Sequence, residues 1–193
     1  MSKPADAGQN CAQGFGRAVI FYEVSNHDQG GNDMQLDPAT LAAQPFLKGL
    51  SAQQIELLAE NAMPAEFKTG ELIFKESSPA NRFYIILSGE VTLESPCPTC
   101  DDKRGTVLIE TVGAGSVLGW SWIFAPYYSH FNARALSPVK AIFFYGTRLR
   151  EQCESDPKLG YELMKRVSAI FIERLQAARQ KLSEQGKILP LAI

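Results

Sequence analysis

Two hydrophobic periods alternate along this chain, and the switches between them mark its elements. Behind Ser51-Ala52-Gln53-Gln54, apolar Ile55, Leu58 and Ala62 recur at steps of three and four, the spacing of one helix face. The Ser51 hydroxyl and the Gln54 amide can satisfy each other's free backbone N–H groups, so this helix opens with a capping box. From Ala65 the period shortens. Residues 66–68, 71–74, 82–87, 90–94 and 106–112 are short runs rich in β-branched and aromatic side chains, and 131–136 and 139–145 supply two more. Thr69-Gly70, Ser77-Ser78-Pro79, Ser88-Gly89 and Gly113-Ala114-Gly115 punctuate them as turns. Many short strands at regular spacing predict a sandwich or roll rather than a βαβ fold.

After Gly146 the helical period returns. Thr147 is placed to cap a short helix through about Cys153. Asp156-Pro157 then offers an N-cap with proline in the first helical position, a strong start signal. The final helix runs to about Glu184, with Gly186 and Pro190 beyond it. Along it Tyr161, Met164, Ser168, Phe171, Leu175, Ala178 and Leu182 alternate at steps of three and four, a heptad seam. A second apolar set, Leu163, Val167 and Ile170, lies on another face. One face can pack on the roll while the other meets a partner helix, so Met164, Ser168, Phe171, Leu175, Ala178 and Leu182 are the candidate homodimer interface. The alternative is one wide core stripe in a monomer.

The fold class expected is mainly β: an eight-stranded β-roll or jelly roll with flanking helices and a long C-terminal α-helix. Residues 1–40, rich in Gly, Asn, Gln, Asp and Ser, read as a flexible arm around one apolar island at residues 18–22. Residues 41–185 form the domain with its dimerisation helix, and 186–193 a tail. The 193 residues are 45% hydrophobic, enough for a core, and a formal net charge of -2 argues against a surface built to coat nucleic acid. No apolar run reaches the ~18 residues a membrane helix needs. Nor does the N-terminus carry a basic start followed by an apolar stretch, so cytoplasmic localisation is the expectation.

Between Phe67 and Val91 the chain reads Phe67-Lys68-Thr69-Gly70-Glu71-Leu72-Ile73-Phe74, then Phe83-Tyr84-Ile85-Ile86-Leu87-Ser88-Gly89-Glu90-Val91. It continues through Gly115-Ser116-Val117-Leu118-Gly119 and Ala135-Leu136-Ser137-Pro138-Val139. This pattern resembles the cyclic-nucleotide-binding superfamily, including the sensor domain of catabolite-activator-type regulators, over about residues 41–183. The resemblance implies a β-roll in which Gly115 and Gly119 bracket the opening of a phosphate-binding cassette, where backbone N–H groups face an anion. It also implies a regulatory rather than an enzymatic role.

The cassette departs from the family's pattern. Where the resemblance implies a glutamate for the ribose, the residue after Gly119 is Trp120; the arginine position for the cyclic phosphate falls at Ser129. From Ser121 to Ala133 there is no Arg or Lys. By alternation Arg134 points away from the pocket if Ala133 and Ala135 point in. Each charge-assisted hydrogen bond contributes ~1.5–3 kcal/mol, so losing both anchors weakens a cyclic nucleotide by about two to four powers of ten. Cyclic AMP and cyclic GMP are disfavoured, and no cofactor is assigned. In their place stands an aromatic set. Gly119, Trp120, Ser121, Trp122, Tyr127, Ser129 and His130 are the candidate pocket for a less polar small molecule. The competing reading has these rings fill the old pocket as extra core, leaving a ligand-free interaction or scaffold protein.

Cys97-Pro98-Thr99-Cys100 is a CxxC in a hairpin loop. It supports a metal or redox switch only weakly, because no second ligand pair accompanies it. Enzyme signatures are lacking: two histidines cannot furnish a cupin-type metal site, and there is no nucleophile elbow, HExxH or P-loop. The mildly basic last helix is interspersed with Glu162, Glu173 and Glu184, as on a solvated face. The expectation is a non-enzymatic sensor or regulatory module, not binding nucleic acid or membrane by itself. It would act as a homodimer through an unknown small-molecule ligand or partner protein.

Overall fold

The computed structural model describes residues 36–97 and 105–184. The arm's apolar island, Cys11, Cys100 and the tail lie outside them. Within the described residues, α1 (Pro38–Ala42) is capped by Asp37, whose Oδ1 accepts from the Ala39 N–H at 3.0 Å. This helix takes residues 38–40 out of the arm that the sequence reading ended at residue 40. A single 3-10 turn, Pro45–Leu47, leads to α2 (Ala52–Ala59). The Ser51–Gln54 capping box closes in both directions.

Ala62 does not belong to that helix face. Helix α2 ends at Ala59, and Ala62 opens β1 (Ala62–Phe67). The coincidence of spacing hid the switch. Pro64, within β1, is tolerated because β1 is an edge strand. There follow β2 (Leu72–Phe74), β3 (Arg82–Ser88), β4 (Val91–Pro96), β5 (Thr106–Val112), the two-residue β6 (Val117–Leu118), β7 (Asn132–Ala135) and β8 (Val139–Tyr145). Helix α3 (Gly146–Ser155) begins directly on Gly146, one residue before the expected cap at Thr147 and without a side-chain cap. Asp156 does cap α4 (Pro157–Glu184): its Oδ1 accepts from the N–H groups of Lys158 and Leu159 at 3.0 and 3.2 Å.

The strands form two antiparallel four-stranded sheets, ordered β1-β8-β3-β6 and β2-β7-β4-β5. The first sheet is covered on both faces. Alternation along β3 sends Phe83 and Ile85 toward the helices, into a core with Leu41, Leu47, Leu58, Leu149, Leu159 and Leu163. Tyr84 and Ile86 point the other way, into the roll interior with Val91, Leu93, Ala133, Ala135 and Ala141. Double coverage explains why β3 reads as an unbroken apolar run. At the β3–β4 turn, Gly89 has φ +88°, and a Cβ there would lie 2.3 Å from the Pro138 carbonyl oxygen.

One strand carboxylate lies out of water. Glu94 is buried on the outer face of the second sheet, where its Oε1 accepts from the Thr92 hydroxyl at 3.1 Å and the Arg134 guanidinium lies 3.6 Å away. Pairing is what lets such a group sit out of water.

Candidate functional site: the cassette and the long helix

The cassette opens at Gly119, which follows β6 in the left-handed conformation (φ +75°, ψ 25°) and caps the 3-10 turn Trp120–Ile123. A Cβ at this position would lie 2.2 Å from the Arg82 carbonyl oxygen of β3. Glycine is required on both counts, sign of φ and close approach.

The tight turn throws successive side chains in different directions, and this divides the candidate pocket residues. Trp122 faces the helix-side core and is 1% exposed; its ring meets Phe83 edge-on with centroids 6.1 Å apart. Its carbonyl accepts from Arg150 Nη1 at 2.8 Å, and its indole N–H is buried without a partner. Trp122 is thus separated from the pocket in which the sequence pattern grouped it. Tyr127 is exposed, with φ +63°, under the Arg150 guanidinium 4.4 Å from its ring centre. Ser129, at the phosphate-arginine position, is buried and bound through its backbone to the 77–78 turn: its N–H donates to the Ser78 carbonyl at 2.9 Å and its carbonyl accepts from Ser77 at 2.8 Å.

Trp120, Ser121 and His130 do come together. The Ser121 hydroxyl and His130 Nδ1 share a hydrogen bond of 2.9 Å, and the exposed His130 ring stacks on Trp120 at 5.5 Å. Trp120 itself is 7% exposed. Phe131 and Phe124 meet its edge at 5.8 and 6.4 Å, and Phe171 of α4 stands perpendicular to it at 4.3 Å. Phe171 also packs on Phe124 at 5.4 Å. Each such aromatic pair contributes roughly 0.5–1.5 kcal/mol beyond its area.

One turn further along α4, Arg174 extends the contact. Its Nε lies 3.0 Å from Glu110 of β5, and its guanidinium sits 5.9 Å from the Phe131 ring. Burial lowers the Arg174 pKa from its ordinary value while Glu110 opposes the shift, and Nη1 is buried without a partner. Arg134 is directed out of the roll interior, donating from Nη1 to the Gly70 carbonyl at 2.9 Å, while Ala133 and Ala135 point in.

On α4, Leu163 and Val167 are buried against the roll and Ile170 packs partly there. Of the seam, Met164, Leu175, Ala178 and Leu182 are exposed and Ser168 is half-buried. Phe171 is the exception, turned onto Trp120. Heptad spacing alone could not separate it from its seam neighbours, since one helix stripe can face a partner or its own domain. Phe131, Glu110 and Arg174 carried no sequence signal for this contact.

Cys97, just past the end of β4, is disulfide-bonded. Cys100 lies outside the described residues. Half-buried Cys153 is held as a thiol, its pKa pushed up to about 11 by burial and by the neighbouring Asp156 and Glu154 carboxylates. Among the described residues no group of three or more His, Cys, Asp or Glu could hold a metal ion, and no helix is long and apolar enough to cross a membrane.

Known proteins share this fold. The profile of the cyclic nucleotide-binding domain matches residues 64–156. A solved protein of the cyclic-nucleotide-binding type from Geobacter metallireducens GS-15 is 33% identical, over 72% of this chain and 98% of its own, with a TM-score of 0.63. A cyclic nucleotide-binding domain from Methylobacillus flagellatus KT shares the fold at 20% identity, over 75% of this chain and 78% of its own, with a TM-score of 0.61. The CRP-like cAMP-activated global transcriptional regulator of Mycobacterium tuberculosis is 26% identical over 144 residues, 75% of this chain; the match spans 61% of that regulator's length. On the fold, the motif order and these relatives together, the chain belongs to the cyclic nucleotide-binding domain family.

Proposed function

We propose that this domain is a non-enzymatic regulatory module that pairs with a second copy through α4 and whose cassette has exchanged charged anchors for an aromatic contact. One observation carries the reading: at the position where the family pattern places a glutamate stands Trp120, its ring buried against Phe171 of the long helix. Among residues 121–133 no Arg or Lys is available to a phosphate. Any small molecule the cassette accepts is then less charged than a cyclic nucleotide, met by the Ser121–His130 pair and the exposed face of the His130 ring. A second reading, a ligand-free interaction module, is favoured by the same burial of Trp120, which leaves its ring little free surface.

Pairing through α4 rests on the exposed stripe. Leu175 is 70% exposed, and Ala178 and Leu182 continue its face down the helix, where apolar side chains gain most from a partner. Light scattering on the eluting protein tests this. The account predicts a dimer for the unaltered chain. Leu175→Glu should weaken that dimer by more than about tenfold, leaving the thermal midpoint of the dissociated chain unchanged because the side chain touches no core. A monomer at high concentration, or a Leu175→Glu dimer of unaltered strength, would remove α4 as the interface.

A further inference from the structure

We infer that the flank of α4 opposite its exposed apolar stripe is a docking groove for a helical segment of a partner protein, acidic at one end and basic at the other. The inference goes beyond the pairing proposed above and does not rest on it, since Glu173 and Leu175, two positions apart, project from opposite sides of the helix.

Two cavities, of about 510 and 480 Å³, lie along α4 and share Pro45 and Phe46 as a wall. The first takes Glu162, Lys165, Arg166 and Ala169 from the helix. The second takes Ile170, Glu173, Arg174 and Ala177. These positions follow one another at alternating steps of three and one, so residues 162–177 present a single face, a groove about 22 Å long. Its walls are held from within the domain. Arg166 donates from Nε to the Phe46 carbonyl and from Nη2 to the Lys48 carbonyl, both at 2.8 Å, tying the 3-10 turn to the helix. The Phe46 ring packs on Phe83 of β3 at 5.5 Å. At the second cavity the Gly115 turn abuts Pro45, where an added Cβ would stand 3.3 Å from the proline Cγ.

The two ends of the groove carry opposite charge. At the first, Lys165 and Arg166 share the single Glu162 carboxylate, and Lys48 adds a cation with no acidic partner among the described residues. At the second, Glu110 matches Arg174, which leaves Glu173 as the unpaired group. Between them Ala169 and Ala177 are exposed and small, leaving room for a partner backbone. An amphipathic helix reads such a groove through its apolar stripe, while charges at the ends select the partner and fix its direction. A second copy presents the same concavity, which cannot fill it. The occupant is therefore a different chain, with acidic side chains at Lys48 and Lys165 and basic ones at Glu173.

Two-dimensional NMR titration of the full chain with synthetic peptides reads the groove residue by residue. The probe is an amphipathic helical peptide of about 15 residues with glutamates at one end and lysines at the other; two companions carry glutamates at both ends or lysines at both. The mixed peptide should bind with a dissociation constant below about 1 mM, shift the amides of residues 45–48 and 162–177, and exceed either companion about tenfold. Glu173→Lys should turn the preference to the peptide with glutamates at both ends, and leave the thermal midpoint unchanged because this side chain is exposed. Equal affinities for the three peptides, no shift in the groove at about 1 mM peptide, or shifts confined to the Leu175 face overturn the inference. So does the same set of shifts on raising the protein concentration without peptide, which assigns the groove to a second copy.

Discussion

Replacing Gly119 with alanine is expected to destabilise the domain by about 3 kcal/mol, read as a fall in unfolding free energy by denaturant titration. Two costs combine. At φ +75° an L side chain adds roughly 1–2 kcal/mol of backbone strain. The new Cβ would also stand 2.2 Å from the Arg82 carbonyl oxygen. That oxygen belongs to β3, an inner strand of its sheet, where Arg82 is paired with Tyr145 of β8 and has no room to withdraw. Gly70→Ala provides the comparison. Gly70 has φ +83° but nothing within 4 Å of its Cβ position, so only the conformational cost, about 1 kcal/mol, should appear. Equal losses at the two positions would mean that the cassette does not press on β3 as described.

Trp122→Ala should cost about 3–5 kcal/mol, the range for emptying a large buried aromatic site. Trp122 is 1% exposed, lies against Phe83, and fills the gap beside Gly146, where an added Cβ would come within 2.6 Å of its own Cβ. Trp122→Phe should cost much less. The smaller ring leaves a cavity, but it also removes the buried indole N–H that has no hydrogen-bond partner, a group whose burial costs roughly 1–3 kcal/mol. Thermal unfolding of the two variants checks the order. A phenylalanine variant as unstable as the alanine one would show that the indole nitrogen is satisfied in solution.

These two residues also show where the sequence was informative. The strands of the roll other than the two-residue β6, the capping box at Ser51 and the proline-led start of α4 were legible because each depends on neighbours in the chain. Ala62 was misread since a residue four beyond Leu58 fits a helix face and a strand start equally well. The candidate site was legible as a place, the cassette after Gly119, but not as an arrangement. A 3-10 turn sends Trp122 into the helix-side core and Trp120 among the rings of Phe124, Phe131 and Phe171, and nothing in Trp-Ser-Trp announces which ring goes where. Phe171 carried the seam's spacing and yet packs on its own domain. The contact that joins cassette to helix spans 51 positions, from Trp120 to Phe171, a separation that no local period reports.

The central claim is that aromatic packing stands where sugar-phosphate anchors are expected, and calorimetric titration of the purified chain with cyclic AMP and cyclic GMP tests it most directly. The account predicts no saturable binding below about 1 mM, since Trp120 and Ser129 stand where the carboxylate for the ribose and the guanidinium for the phosphate would supply the affinity. A micromolar dissociation constant, lost on Trp120→Ala or Ser129→Ala, would contradict it.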